Sequence, residues 1–213
     1  MYILGDSILH TILINGGLVD DNDLQELIAV YVHREIKFCW RKCMDKILVM
    51  DEHNYDENLN EIYRISVRGI IFVAGKLLMI ESSSGETKLP GGGMEPGEDD
   101  YQVLLREVKE ETGYDVIPES IKPFGEIEEK RLSVHEPKIW HQINRLYFCD
   151  IYPGQGQCKY SENEKKEGFH PVLYTIGEAL EKNERMLEKE GLQAWNQREY
   201  KTLLLIKNHL DGK

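Results

Sequence analysis

Glu107, Glu110 and Glu111 place three carboxylates within five residues of one another. Val103, Leu104, Leu105 and Val108 recur at helical spacing around them, and Gly113 stands where a left-handed C-cap belongs. On a helix each residue turns by about 100°, so the three glutamates share an arc of roughly 100°. Tyr101, Leu104, Leu105 and Val108 form an apolar stripe beside it. Like charges crowded on one arc repel unless a cation sits among them, and a hard divalent metal with oxygen ligands meets that need. A plain solvated face is the competing reading, since glutamate forms helices well and charge runs on surface helices are common. The residues upstream shift the balance. Leu89-Pro90-Gly91-Gly92-Gly93 lets backbone groups approach a ligand without Cβ obstruction. Glu98 then brings a carboxylate to the helix start, the positive end of its dipole.

Taken together, Gly92, Glu98, Arg106, Glu107, Val108, Glu110, Glu111, Gly113 and Tyr114 follow the spacing G-x5-E-x7-R-E-U-x-E-E-x-G-U, where U is apolar. The segment resembles the Nudix box. Tyr114 is the one soft position, standing where an aliphatic residue is usual. Seven fixed residues, each at about 6% usage, coincide in a chain of this size on the order of once in a million sequences. The likeness covers 23 residues directly, and the flanking strand pattern extends it to roughly 65–210.

The resemblance implies an α/β/α sandwich with a mixed sheet. It also implies a hydrolase that uses Mg²⁺, or Mn²⁺ as a substitute, to cleave a nucleoside diphosphate linked to another moiety. The physical logic agrees, because attack on a pyrophosphate needs its charge neutralised and the water activated. On this likeness Glu107, Glu110 and Glu111 hold metal, the Gly91 carbonyl joins them, and Glu98 supports the metal site. Arg106 matches the box arginine, which orients a box glutamate by a charge-assisted hydrogen bond. Ordinary i,i+4 pairing with Glu110 is the bland alternative for Arg106. The family draws its general base either from the box, here Glu107, or from a glutamate in an outside loop. Glu162, Glu164 and Glu167 precede Phe169-His170-Pro171, and Glu167 is preferred because Gly168 lets the loop fold tightly. Arg68 on the first catalytic strand, Lys88 before the glycines and Arg145 on a long later strand are the substrate-binding candidates. Trp140 and Tyr147 suit base stacking or core packing, and His135 and His141 are equally undecided.

The chain has 213 residues, enough for one domain with an appendage. Its 41% hydrophobic and 30% charged content are those of a globular protein. The net charge of −12 argues against a general nucleic-acid or anionic-membrane surface, which leaves a small nucleotide or pyrophosphate compound as the expected partner. No run approaches the length of a membrane helix, and the segment from Met1 to His10 has no basic leader and carries Asp6. Cys39, Cys43, Cys149 and Cys158 form no C-x-x-C pair, so a reducing cytoplasm is the expected setting.

Residues 1–60 are expected to form a helix-rich N-terminal extension and residues 61–213 the catalytic domain. Asp21-Asn22-Asp23 offers N-cap chemistry, and Leu24, Leu27, Ile28 and Tyr31 supply an apolar face. Ile47 to Met50 reads as a strand and Asp51 to Asn60 as a polar linker. The extension suits packing, a homodimer contact or a substrate-selecting cap, and the sequence leaves the three open. Further on, strands are expected at 65–73, 76–80, 124–129, 139–151 and 172–174, with Ala74-Gly75 as a hairpin turn. Helices are expected at about 177–190 and 192–209, and Ser161 to Gly168 reads as a charged loop. This mixture favours an α/β architecture independently of the resemblance. One rival function stands beside hydrolysis: a Nudix-fold sensor that binds a nucleotide metabolite without turnover. Such a module is expected to lose box acids or to carry a basic DNA-binding domain. Here every box acid is present, and residues 1–60 are not strongly basic.

Overall fold

The long apolar runs of the sequence resolve into two sheets in the computed structural model, which describes residues 44–188 and 194–212. The larger is a mixed five-stranded sheet. Its order is β1 (Lys46–Asp51), β7 (Lys122–Leu132), β8 (Ile139–Phe148), β2 (Glu61–Ile70) and β6 (Gly91–Gly93). β1 with β7 and β8 with β2 are parallel pairs, whereas β7 with β8 and β2 with β6 are antiparallel. β8 is central, as its length suggests. β2 buries an unbroken run from Ser66 to Ile70 because both its faces are covered there.

The second sheet is built on β4 (Lys76–Glu81), with β3 (Phe72–Val73), β5 (Thr87–Lys88) and β9 (His170–Tyr174) all antiparallel to it. The strand expected across 65–73 is divided at Ile71, where the chain leaves one sheet for the other. Ala74 and Gly75 make the expected turn, with φ of 49° and 77°, the left-handed pair that a two-residue hairpin needs.

Helix α1 (Asp100–Thr112) packs on β2 and β6. Helices α3 (Ile176–Leu187) and α4 (Ala194–Leu210) pack on each other and on the smaller sheet. Between the sheets lie Ile70, Leu77, Met79, Leu89, Ile127 and Leu146, closed by Leu203 and Ile206 of α4. Each such fully buried side chain stabilises the fold by about 1.5–3 kcal/mol. The mixed α/β architecture is therefore the expected one. No helix among the described residues is long and apolar enough to cross a membrane.

Three expectations change. The charged stretch 161–168 is not a loop throughout but contains α2 (Glu162–Glu167), because Ser161 and Glu164 form a reciprocal capping box and Gly168 closes the helix at φ 66°. The glycine segment is not a loop either, since Gly91–Gly93 pairs with Ser66–Arg68 as an edge strand. The boundary expected at residue 60 falls inside the unit Met44–Lys213. β1 is hydrogen-bonded along β7, Met50 enters the core, and Asn54 accepts from the Leu132 N–H at 2.6 Å. The helix expected after Asp21-Asn22-Asp23, and with it Cys39 and Cys43, lies outside the described residues.

Candidate active site

Helix α1 is fixed at both ends by local chemistry. Asp99 caps it, accepting from Gln102 N–H at 2.9 Å, while the Gln102 side chain accepts from Asp99 N–H at 2.8 Å. Gly113, at φ 76°, ends it in the left-handed cap that its sequence position predicts. Tyr101, Val103, Leu104 and Val108 are buried beneath, so the helix presents its acidic side toward β6. Asp100 anchors the first turn to the sheet, accepting from Tyr147 Oη at 2.6 Å and Arg145 Nη1 at 2.8 Å.

Arg106 is the hub of the acidic side. Its Nε and Nη2 donate to the two oxygens of Glu98 at 2.7 and 2.8 Å, a bidentate grip. Its Nη1 donates to Glu107 at 2.7 Å and approaches Glu110 at 3.5 Å, and Nη2 reaches the Gly93 carbonyl at 3.3 Å. These bonds raise the Arg106 pKa and, from the other side, lower that of Glu98. Glu107 moves the opposite way: burial pushes its carboxyl above the usual range, and Arg106 only partly opposes this.

Glu111 faces inward. It is buried, with Oε1 2.9 Å from Lys88 Nζ and Oε2 accepting from Gly91 N–H at 2.7 Å. Lys88 in turn lies 4.5 Å from the Phe169 ring centroid. Arg68, also buried, donates from Nη1 to the carbonyls of Leu89 (3.0 Å) and Gly91. Two glycines make this closeness feasible. A Cβ on Gly91, at φ 135°, would stand 2.1 Å from the Val67 carbonyl oxygen, and one on Gly92 would stand 2.2 Å from Glu107 Oε1.

The structure thus brings together Gly91, Glu98, Arg106, Glu107, Glu110, Glu111, Lys88 and Arg68. Arg145 lies apart from them, tied to Asp100 and to Glu126 at 3.2 Å. Glu167 also lies elsewhere. It is exposed at the end of α2 and lines a cleft with Ser82, Ser83, Glu86, His135 and Trp195. Arg64 was not singled out by the sequence reasoning, yet it sits beside Gly93. Its position two strand repeats before Arg68, on the same face, is the signal that marks it.

The donor set suits a hard cation: carboxylates on one helix and a glycine carbonyl next to them. As arranged, Arg106 and Lys88 already neutralise these acids, and among the described residues no three His, Cys, Asp or Glu side chains are spaced to hold a metal ion. The raised pKa of Glu107 is a mark of a buried acid that a further cation would relieve.

The sequence profile of the NUDIX domain matches residues 62–194. Over 97 residues the chain is 35% identical to the nucleoside triphosphatase NudI of an Enterobacter species, covering 45% of this chain and 65% of that protein. Over 101 residues it is 29% identical to a Bacillus subtilis protein provisionally assigned as an ADP-ribose pyrophosphatase, covering 47% of each. Among solved structures, a NUDIX hydrolase from Nitrosomonas europaea aligns with a TM-score of 0.48 at 18% identity, over 71% of this chain and 91% of that one. The chain spans from about half to just under two thirds of the length of the curated relatives it matches.

Proposed function

Because the chain belongs to the NUDIX domain family, we propose that it is a divalent-metal-dependent hydrolase that directs water onto a phosphorus of a nucleoside-diphosphate-linked compound. The observation that carries this reading is the gathering of Glu98, Glu107 and Glu110 on the single guanidinium of Arg106, directly beside the glycine strand. Glu107, Glu110, Glu111 and the Gly91 carbonyl would hold Mg²⁺ or Mn²⁺. When bound, that cation supplies neutralisation of the pyrophosphate charge and acidification of the attacking water.

The remaining roles belong to the chain itself. Glu98 acts through Arg106, fixing the guanidinium so that Glu107 keeps one orientation. Glu107, beside the glycine strand, is one candidate proton acceptor. Glu167 is the alternative base, with a claim that rests on the cleft it lines. Lys88 holds Glu111 and brings a cation to the substrate phosphates, and Arg68 holds the glycine strand from within. Arg145, engaged by Asp100 and Glu126, serves the substrate by positioning α1.

The test is a panel of nucleotide sugars, dinucleotides and nucleoside triphosphates, assayed for phosphate or pyrophosphate release with Mg²⁺, with Mn²⁺ and with chelator. Metal-dependent turnover of at least one compound is expected. Turnover undiminished by chelator would overturn the metal site, and tight nucleotide binding with no turnover in any condition would favour the sensor reading.

A further inference from the structure

Opposite Gly93 and Gly91, β2 places Ser66 and Arg68 on one face of the larger sheet. Arg64, Ser66 and Arg68 alternate along β2 and share that face, and Arg131 of β7 pairs directly with Trp140 of β8. Arg198 of α4 reaches the same place. Glu129 neutralises two of these guanidiniums, accepting from Arg131 Nε at 2.8 Å and pairing with Arg198. Among the described residues no carboxylate forms an ion pair with Arg64 or Arg68. Arg198 also lies 4.0 Å from Glu199, so of these guanidiniums Arg64 and Arg68 are the two left without a direct carboxylate partner among the described residues.

Arg68 is committed to the Leu89 and Gly91 carbonyls, but Arg64 is not. The residue reaches solvent. Its Nη2 lies only 2.6 Å from where a Cβ on Gly93 would stand, so the glycine leaves room for the fork. The Arg64 guanidinium carbon is 6.0 Å from the Trp140 ring centroid, and that of Arg131 is 5.6 Å from it. Trp140 Nε1 and Asn144 Nδ2 are buried donors with no partner among the described residues. Loss of water around the guanidinium, with repulsion from Arg68 and Arg198, holds the Arg64 pKa below its ordinary value. An anion at this spot would relieve that repulsion.

Resting on the hydrolase reading above, we propose that Arg64, braced by Trp140, binds a second phosphate group of a nucleotide substrate, distinct from the phosphate that water attacks. The guanidinium fork matches two phosphate oxygens at once, which a lysine in its place cannot do. A Cβ on Gly92 would meet Glu107 and one on its neighbour Gly93 would meet Arg64, so the two side chains flank one short strand.

Binding of adenosine 5′-(α,β-methylene)diphosphate, which resists cleavage between its two phosphates, tests this by titration calorimetry in Mg²⁺. Adenosine 5′-monophosphate is the control ligand. Arg64→Ala is expected to weaken the diphosphate analogue by about 10- to 100-fold, the loss of a charge-assisted hydrogen-bond pair, with the monophosphate changed little. Arg64→Lys is expected to fall between, and the Tm of both variants to match the parent. No loss of affinity, equal loss for both ligands, or no binding of the analogue by the parent protein would each overturn the proposal. If the analogue shows the expected dependence on Arg64 while no nucleotide is turned over, the phosphate site stands and the hydrolase reading fails.

Discussion

Lys88 and Glu111 meet behind the glycine strand, Nζ to Oε1 at 2.9 Å, and the second oxygen of the same glutamate accepts the Gly91 N–H. One acid therefore ties together β5, the glycine strand and the helix that carries the other carboxylates. The glutamate side chain is 3% exposed and the lysine 15%. Removing the cation leaves a buried carboxylate with only its backbone partner. Lys88→Met is expected to cost about 1–3 kcal/mol of stability, read as a lowered midpoint in urea unfolding, and to reduce turnover as well. An unchanged midpoint would show that Glu111 finds water instead.

Arg106 spans three carboxylates and a carbonyl, a geometry that depends on a planar fork. Arg106→Lys keeps the charge but cannot hold both oxygens of Glu98 while reaching Glu107. Both Arg106→Ala and Arg106→Lys are expected to lose kcat/KM equivalent to about 1.5–3 kcal/mol, with the lysine variant recovering little of it. Steady-state kinetics on the best substrate from the panel decide this, and full recovery by lysine would reduce Arg106 to a point charge.

Glu107 gives a prediction with opposite signs for stability and activity. Its folded-state pKa is raised, chiefly by burial. The stability this contributes is present below the ordinary glutamate range and is lost as pH rises through the raised value. Above that value the ionised carboxylate is thus a burden on the metal-free fold. Glu107→Gln is expected to melt no lower than the parent in chelator, while kcat falls by roughly 10²–10³-fold or more. A variant that melts well below the parent would refute the burial argument. Near-normal kcat would refute the role.

Glu81 couples the smaller sheet to α3. Burial pushes its carboxyl up, but hydrogen bonds from Tyr174 Oη and from Lys182 Nζ (2.9 Å) together outweigh this, and the net pKa is low. A depressed value contributes stability above the ordinary carboxylate range, lost as pH falls through the folded-state value. Glu81→Gln is expected to flatten the acid limb of stability against pH, as measured by urea unfolding from neutral to acid pH. A parallel loss of stability in parent and variant would mean that other carboxylates carry the limb.

β1 lies at the sheet edge, yet Met50 enters the core and the Ile47 side chain fills the space over Gly125, where a Cβ would be 2.6 Å away. A chain beginning at residue 61 loses both, whereas one beginning at residue 44 keeps them. Thermal melting is expected to separate the two truncations by about 2–5 kcal/mol, the cost of emptying one large apolar site. Equal melting temperatures would show that β1 adds nothing to the stability of the fold.

The box helix was legible because its signals are local. Apolar stripe, arginine, acids and C-cap glycine lie within one segment, and each acts on neighbours three or four residues away. β8 announced itself by its length, since the stretch from Ile139 to Ile151 is long enough to be central. The short strands at Thr87–Lys88 and Gly91–Gly93 were not legible. Glycine has no strand preference of its own, and these residues extend only because β2 and β4 offer partners. Helix α2 was hidden for the opposite reason: the charges of Glu162 to Glu167 look like a loop unless the Ser161–Glu164 capping box is weighed.

By itself the sequence determined that a glycine segment precedes a helix bearing a fixed spacing of acids and one arginine, because helix geometry converts spacing into direction without help from the rest of the chain. Which acid meets which cation was decided only by the tertiary structure. Glu98, eight residues from Arg106, and Lys88, on a strand of the other sheet, could be matched to their partners only once the sheets had packed and the water between them had gone. The diversion of Arg145 to Asp100, and the pairing of Arg131 and Arg198 through Glu129, follow from the same cause: long-range neighbours have no signature in a linear pattern.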